Sequence, residues 1–494
     1  MRTIRELFKD IEYKLVNAGP DFTIEGLCSD SRIIKKGELF IAAKGCDSDG
    51  HNYIHEAFKK GANIVCSEKM PKGCKGARFI IVKDTAEILP ILASRFFGEP
   101  SKYLKLIGIT GTNGKTTASY LVYAILKAAK RNPSLIGTIQ YKIQDKIADS
   151  SNTTPGPLLL HSLLGQMRDG GSDYVVMEVS SHALKQSRVE GVDFRIAALT
   201  NITGDHLDYH RTMSDYVKSK RLLFESLSKS NFAVLNSDDK FYNKFRKAAR
   251  GKIVTYGIEG KADFMATRIE SDINGSRFFM ETPKGSISIR TPLIGRHNVY
   301  NILTAASISF IEGIELNIIS EAISRFNRMP GRLESVDAGQ QFKVFIDYAH
   351  THDALEKVLT GLRGLCSGRI VVVFGCGGDR DRTKRPKMGK IASSLADHVI
   401  LTNDNSRKED PNAILRDIEK GFPRGFKAYK KISDRYKAIE EALKERGISD
   451  VVLIAGKGHE DYQIIGNRVF PFNDREATEK ILEEITKTPK LLHA

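Results

Sequence analysis

Between residues 101 and 330, short β-branched apolar runs alternate with helically spaced apolar positions, which predicts a parallel sheet covered by helices. Residues 104–110 read as a buried strand, and Leu121, Ile125 and Leu126 then fall on one helix face. Residues 174–179 form a second buried strand, residues 197–202 end a third, and a helix is predicted from about 213 to 227. Residues 1–100 mix strands and helices: a charged helical start, strands at 39–43, 64–66 and 79–82, and a helix over 53–60. Residues 329–334 read as an interdomain hinge. Four more apolar runs follow, at 343–347, 369–374, 398–402 and 451–455, with polar clusters at their carboxyl ends, the pattern of a second doubly wound domain. The expected fold class is α/β in three domains. They are a mixed α/β N-terminal domain (1–100), a central P-loop ATPase-like parallel sheet (101–330), and a C-terminal Rossmann-like doubly wound domain (331–494).

Candidate chemistry sits where strands end. After the first central strand come Gly111, Thr112, Asn113, Gly114, Lys115, Thr116 and Thr117, then a helix. Glycines let backbone N–H groups turn around an anion, and the helix N-terminus adds partial positive charge. Lys115 can reach the outer phosphates and Thr116 can ligate Mg²⁺. The glycine spacing is shorter than in the usual GxxxxGK[ST] loop. Glu178 ends the second strand and is placed to meet the metal, and His206 follows the third strand.

Composition narrows the class. The net charge of +16 suits either nucleic acid or small polyanions, but the basic residues are spread along the chain among acidic ones. A nucleic-acid-binding NTPase stays as a distant alternative. Six cysteines without a CxxC pair favour a reducing compartment. The start lacks the apolar core of a signal peptide and no apolar run is long enough to span a bilayer, so a cytoplasmic protein is expected.

Eight motifs carry a resemblance over nearly the whole chain: GTNGKTT, MEVSSH, DHLDYH, GRHNVYN, MPGRLE, DYAH, FGCGGDRD and AGKGHEDYQ, in that order. The chain resembles the Mur ligases of peptidoglycan synthesis, and within them those adding the third amino acid to UDP-N-acetylmuramoyl-L-alanyl-D-glutamate. The resemblance implies an ATP-dependent ligase with two Mg²⁺ ions acting on small-molecule substrates; a monomer with no nucleic-acid partner and no membrane segment is expected. It places ATP on residues 111–117 with His297, Asn301, Arg332 and Asp347. It makes Thr116, Glu178, His206 and Lys220 the metal set, with Lys220 carbamylated by CO₂, and Lys115 a catalytic group. Ser29 and Ser31 would meet the uridine diphosphate, and Thr153, Thr154, Ser180, Gln186 and Arg188 the muramoyl dipeptide. The incoming amino acid would meet Arg380, Asp404, Asn405, Ser406, Arg407, Gly456 and Glu460.

Two positions depart from the family pattern: Ser406 replaces the proline of an Asp-Asn-Pro-Arg motif, and His352 stands where proline is usual. Arg407 suits the second carboxylate of meso-diaminopimelate and opposes the ammonium of L-lysine, which remains the alternative substrate.

Overall fold

The structure, a computed structural model, describes residues 1–487 apart from 46–47, 145, 151, 205, 327–328, 330 and 445. Asp205 of the DHLDYH motif and Pro330 of the hinge therefore lie outside the described residues. Two compact units emerge: Met1–Thr267 with Met280–Ile287 and Tyr300–Ala322, and Arg268–Phe279 with Ser288–Val299 and Ile323–Ala494. Among the described residues no helix is long and apolar enough to cross a membrane.

The first unit holds two main sheets besides the short antiparallel pair Arg2–Thr3 and Thr23–Ile24. The N-terminal one has five strands in the order Lys14–Val16, Phe79–Ile81, Ile64–Ser67, Glu38–Ile41, Gly26–Cys28, parallel except for the first. Side chains alternate: Leu39, Ile41, Ile64 and Ile80 pack with Ile88 and Leu92 of helix Thr85–Phe96, while Phe40, Val65 and Phe79 pack with Ile54 and Ala57. The helical start expected for the chain is cut to Ile4–Leu7, closed by a Thr3–Glu6 capping box. Asp10 turns left-handed at φ 60°, and Lys14–Val16 is drawn into the sheet edge against Phe79–Ile81. So short a helix has little stability of its own, and sheet pairing overrides its pattern.

The central sheet places its parallel strands in the order Pro133–Ile136, Tyr174–Glu178, Lys105–Thr110, Phe194–Leu199, Phe232–Asn236, Lys252–Gly257. Antiparallel strands Gln140–Ile143 and Lys146–Asp149 extend one edge. The chain leaves Lys105–Thr110 in one direction and later returns on its other side, so the strand order reverses there, which is where open α/β sheets bind ligands. Leu121, Ile125 and Leu126 are buried as their spacing predicts. The third strand lies three residues earlier than expected, at Phe194–Leu199 rather than ending at 202. The Thr200 N–H still bonds Thr110 O, but Ile202 N–H donates to Asp239 Oδ2 at 2.6 Å, which pulls the chain off the sheet.

The second unit is built on six strands in the order Glu334–Val336, Lys343–Asp347, Val451–Ala455, Ile370–Phe374, His398–Leu401, Tyr429–Lys431, parallel except for the first. Alternate residues face opposite cores. Val372, Phe374, Leu401 and Leu453 pack with Leu355, Leu359, Met388 and Ile414. Val371, Val373, Ile400, Val452 and Ile454 pack with Ile439, Leu443 and Ile481. This is the doubly wound arrangement the apolar runs imply. His352 takes the first position of helix His352–Arg363, after the Thr351 cap. The N–H there needs no intrahelical partner, so proline and histidine both serve.

Candidate active site

In the first unit the glycine loop is shaped by steric necessity. Gly111 has φ 148°, and a Cβ there would meet Thr200 Oγ1 at 1.9 Å. Gly114 has φ 84°, and its Cβ would meet Asn301 Oδ1 at 2.2 Å. Both conditions demand glycine. Asn301, on helix Arg296–Ile311, thereby lies against the loop just before helix Lys115–Ala128 begins. Lys115 Nζ donates to the carbonyls of Gly111 and Thr112, each at 3.0 Å, which holds the ammonium over the loop. Thr112, Asn113 and Thr117 complete it, with Thr112 Oγ1 bonded to Tyr216 OH at 2.9 Å.

Glu178 is wholly buried at the end of its strand. Thr116 Oγ1 donates to its Oε2 at 2.9 Å, Thr138 Oγ1 to the same oxygen at 3.0 Å, and Thr138 N–H to Oε1 at 2.9 Å. No ion pair links it to a lysine or arginine among the described residues. A buried carboxylate held by neutral donors beside a loop hydroxyl offers hard oxygen ligands, and the two groups fit Mg²⁺ bound jointly with phosphate oxygens.

Lys220, on helix Met213–Glu225, is 1% exposed. Its Nζ donates to Gly111 O at 2.9 Å, the carbonyl Lys115 also uses, and lies 4.7 Å from the centre of the Tyr216 ring. The fold thus brings two lysines, 105 residues apart in the chain, to one loop. His206, left-handed at φ 53°, packs edge-on against His182, with ring centres 4.8 Å apart. His182 also lies against Tyr209 and His210. His210 is buried, with Nε2 2.9 Å from Ser181 Oγ; burial first, then His182, Lys185 and Lys220, push its pKa down to about 4.

The hydroxyl-rich turn joins this centre. Thr154 Oγ1 donates to Glu178 O at 2.9 Å and accepts from Ser180 N–H at 3.0 Å, while Thr153 Oγ1 meets Thr138 Oγ1 at 3.0 Å. Arg188 donates to Gln186 Oε1 and, at 3.0 Å, to Thr154 O; Gln186 Nε2 donates to Tyr209 OH at 3.0 Å. Thr153, Thr154, Ser180, Gln186 and Arg188 therefore form one connected cluster around Glu178. Ser29 and Ser31 stand apart from it, in the turn at the carboxyl end of strand Gly26–Cys28, with Ser31 buried and Ser29 exposed. Sequence reasoning missed Thr138, Tyr209 and Tyr216. Thr138 had the weak signal of a hydroxyl following a strand; the tyrosines had none outside a quoted motif.

The second unit gathers its own set at the carboxyl ends of its parallel strands. Asp404, Asn405, Ser406 and Arg407 follow strand His398–Leu401, and Gly456 and Glu460 follow Val451–Ala455, with strand Ile370–Phe374 between the two. Asn405 Nδ2 donates to Glu460 Oε2 at 2.8 Å, and the buried Lys457 pairs with the same oxygen at 2.9 Å. Lys457, inside the GKGHE motif, had been given no role. A Cβ on Gly456, at φ 113°, would approach Asp404 Oδ2 at 2.9 Å. Arg407 is left-handed at φ 49°; its N–H donates to Ile464 O and its carbonyl accepts from Gly466 N–H. Arg407 Nη1 donates to Gly378 O at 3.0 Å, and Arg380 is exposed on the neighbouring loop. The Ser406 hydroxyl is buried with no partner among the described residues. His297 lies in the first turn of helix Arg296–Ile311, its ring close enough that a Cβ on Gly295 would meet it at 3.0 Å.

Asp347 ends strand Lys343–Asp347 and accepts the Leu333 N–H at 2.7 Å. Arg332 lies over the Tyr348 ring. Burial lifts the Asp347 carboxyl from 3.8 to about 6, against the pull of Arg332. A carboxyl raised on folding stabilises fully below its unfolded value, and that contribution is lost as pH rises through the folded value. Asp347→Asn is therefore expected to be more stable than the wild type above pH 6, by up to about 3 kcal/mol, with the gap closing toward pH 4. Urea unfolding of both proteins across that range checks it; a constant gap would assign the effect to packing.

The sequence matches the profile of the Mur ligase middle domain over residues 109–309, the Mur ligase glutamate ligase domain over 331–458, and the Mur ligase family catalytic domain over 23–97. It is 46% identical over 472 residues to the UDP-N-acetylmuramoyl-L-alanyl-D-glutamate–2,6-diaminopimelate ligase of Bacillus licheniformis, covering 94% of this chain and 96% of that one. A solved structure of a ligase with the same description superposes with a TM-score of 0.73 at 31% identity, covering 99% of this chain and 100% of that one. A MurF ligase from Thermotoga maritima, solved in complex with ADP, shares the fold at 18% identity and a TM-score of 0.61, covering 93% and 97% of the two chains. With its glycine loop, buried strand-end carboxylate and the parallel strands of its second unit within or at the edge of the matched regions, the chain belongs to the Mur ligase family.

Proposed function

We propose that this chain is the ATP-dependent ligase that joins meso-diaminopimelate to UDP-N-acetylmuramoyl-L-alanyl-D-glutamate through an acyl phosphate. The observation that carries the reading is the Thr116–Glu178 contact at the glycine loop, wired through Thr138 and Thr154 to Ser180, Gln186 and Arg188. Nucleotide-binding and acceptor-binding groups are thereby one hydrogen-bonded assembly. The 46% identical relative supports the same pair of substrates.

In this reading a γ-carboxylate oxygen of the D-glutamyl residue attacks the γ-phosphorus of ATP and ADP departs. Lys115 neutralises charge on the phosphoryl oxygens, and the loop amides and helix N-terminus hold the phosphates. Arg188 and Ser180 orient the dipeptide. The neutral amine of the amino acid attacks the acyl carbon; phosphate leaves and the amine proton is released. Asn405 and Glu460 hold the amino acid's α-ammonium end, and Arg407 its distal carboxylate. Mg²⁺ on Thr116 and Glu178 supplies charge stabilisation at the phosphates. His206 and a carbamylated Lys220 are the groups we assign to a second ion: carbamylation replaces a buried cation with oxygen ligands. We divide the chain functionally near residues 100 and 330 and place the reaction in the cytoplasm, consistent with five free cysteines among the described residues.

Phosphate release with ATP, Mg²⁺ and UDP-N-acetylmuramoyl-L-Ala-D-Glu, adding one amino acid at a time, tests this. Release is expected with meso-diaminopimelate and not with L-lysine or without amine. Preference for lysine would retain the ligase and reverse the Arg407 assignment; no release with any amine would remove the third-residue reaction.

A further inference from the structure

Arg435 and Asp474 form an ion pair with both side chains fully buried. Arg435 opens helix Arg435–Leu443 and Asp474 opens helix Asp474–Lys487. The pairing is bidentate: Nε donates to Oδ1 and Nη2 to Oδ2, each at 2.7 Å. Replacing such a pair with apolar residues of similar volume is often neutral or stabilising, so core cohesion alone does not account for it.

The remaining donors show what it does. Arg435 Nη1 donates to Asn403 O at 3.2 Å, and Nη2 donates to Ala455 O at 3.1 Å. Asn403 immediately precedes Asp404, and Ala455 immediately precedes Gly456. One guanidinium thus grips the last carbonyls before both loops assigned to the amino acid, and Asp474 fixes the plane of that guanidinium. A pocket of about 450 Å³, lined by Asn403, Arg435, Tyr436, Gln463 and Phe472, opens beside this contact. The guanidinium ties the two loops directly to each other, alongside the bonds from Gly378 N–H to Asn405 O and from Gln463 Nε2 to Asp404 O. The spacing of the two loops sets whether Asn405 on one loop and Glu460 on the other act together, as their 2.8 Å contact requires.

We propose that Arg435 and Asp474 are positioning residues for the amino-acid subsite, setting affinity for the third amino acid without touching it. The inference rests on the proposed reaction. Its test is the Arg435→Lys variant, which keeps a buried positive charge beside Asp474 but cannot reach both carbonyls while pairing bidentately. We expect a folded protein whose KM for meso-diaminopimelate rises at least tenfold, while the KM values for ATP and the UDP-linked substrate stay within twofold. Asp474→Asn should shift the same constant in the same direction, more weakly.

An unchanged KM for meso-diaminopimelate in folded Arg435→Lys overturns the proposal. So does a parallel rise of all three KM values with a lowered Tm, or failure of the variant to fold, since either makes the pair a core staple. Wild-type protein inactive with meso-diaminopimelate would instead defeat the reaction assignment, so the two failures are distinguishable.

Discussion

Lys115→Ala is expected to lower ATP-dependent phosphate release at saturating substrate by about 10²–10³-fold, with a much smaller change in nucleotide affinity. In the proposed reaction, nucleotide binding would draw on many groups: the backbone of residues 111–114, the helix that starts at Lys115, and the Thr116 hydroxyl. These persist when the lysine side chain is removed. The ammonium is different, because its charge matters most as the phosphoryl group leaves, when negative charge moves onto the bridging and leaving oxygens. Its contacts to Gly111 O and Thr112 O keep it at the loop in advance, so little reorganisation is needed. The side chain contributes nothing to the apolar core, and Tm is expected to change by only a few degrees. Steady-state kinetics with isothermal titration of ADP would check the split. A variant that lost ADP binding and turnover in equal measure would show that Lys115 serves the ground state.

Arg407→Ala is expected to lower kcat/KM for meso-diaminopimelate by about 10²-fold, the scale of losing a charge-assisted bidentate contact. Turnover of L-lysine should hold or rise, because the repulsion against its ammonium disappears. In the proposed reading Arg407 is a fixed reader, because the fold holds it in place. Its left-handed backbone is tied on both sides to the segment after Tyr462, through Ile464 O and Gly466 N–H, and its guanidinium is anchored on Gly378 O. A lysine at this position would keep the charge without the planar fork, so Arg407→Lys should recover only part of the loss. Equal losses for both amino acids would mean that Arg407 shapes the loop and does not choose the substrate.

The unpartnered Ser406 hydroxyl bears on the same loop. The sequence suggests a looser turn where proline is replaced. The loop is nevertheless held from outside: Gln463 Nε2 donates to Asp404 O, and Asn405 Oδ1 accepts the Ile464 N–H. Local stiffness lost at one residue is replaced by long-range bonds to the hairpin Tyr462–Ile465 and Arg468–Pro471.

Local order determined what was legible in the sequence. The glycine loop, the strands around it, the buried face of helix Lys115–Ala128, and the strand-end polar clusters of the second unit all follow from periodicity and turn chemistry over short windows. The sequence suggested glycines that let the loop turn around an anion; that no other residue fits at 111 and 114 comes from Thr200 and Asn301, which only the fold brings against them. Tertiary structure alone decided three things. It drew Lys14–Val16 into a sheet edge against the helical pattern of the first residues, because strand pairing outweighs the weak propensity of a short helix. It brought Thr138 onto Glu178 and Lys220 onto Gly111, contacts spanning 40 and 109 residues that no local pattern encodes. And it placed Arg435 under two loops at once: a buried guanidinium reads in sequence as one more surface arginine, and only the folded chain, by removing water from it, forces each of its donors to find a partner.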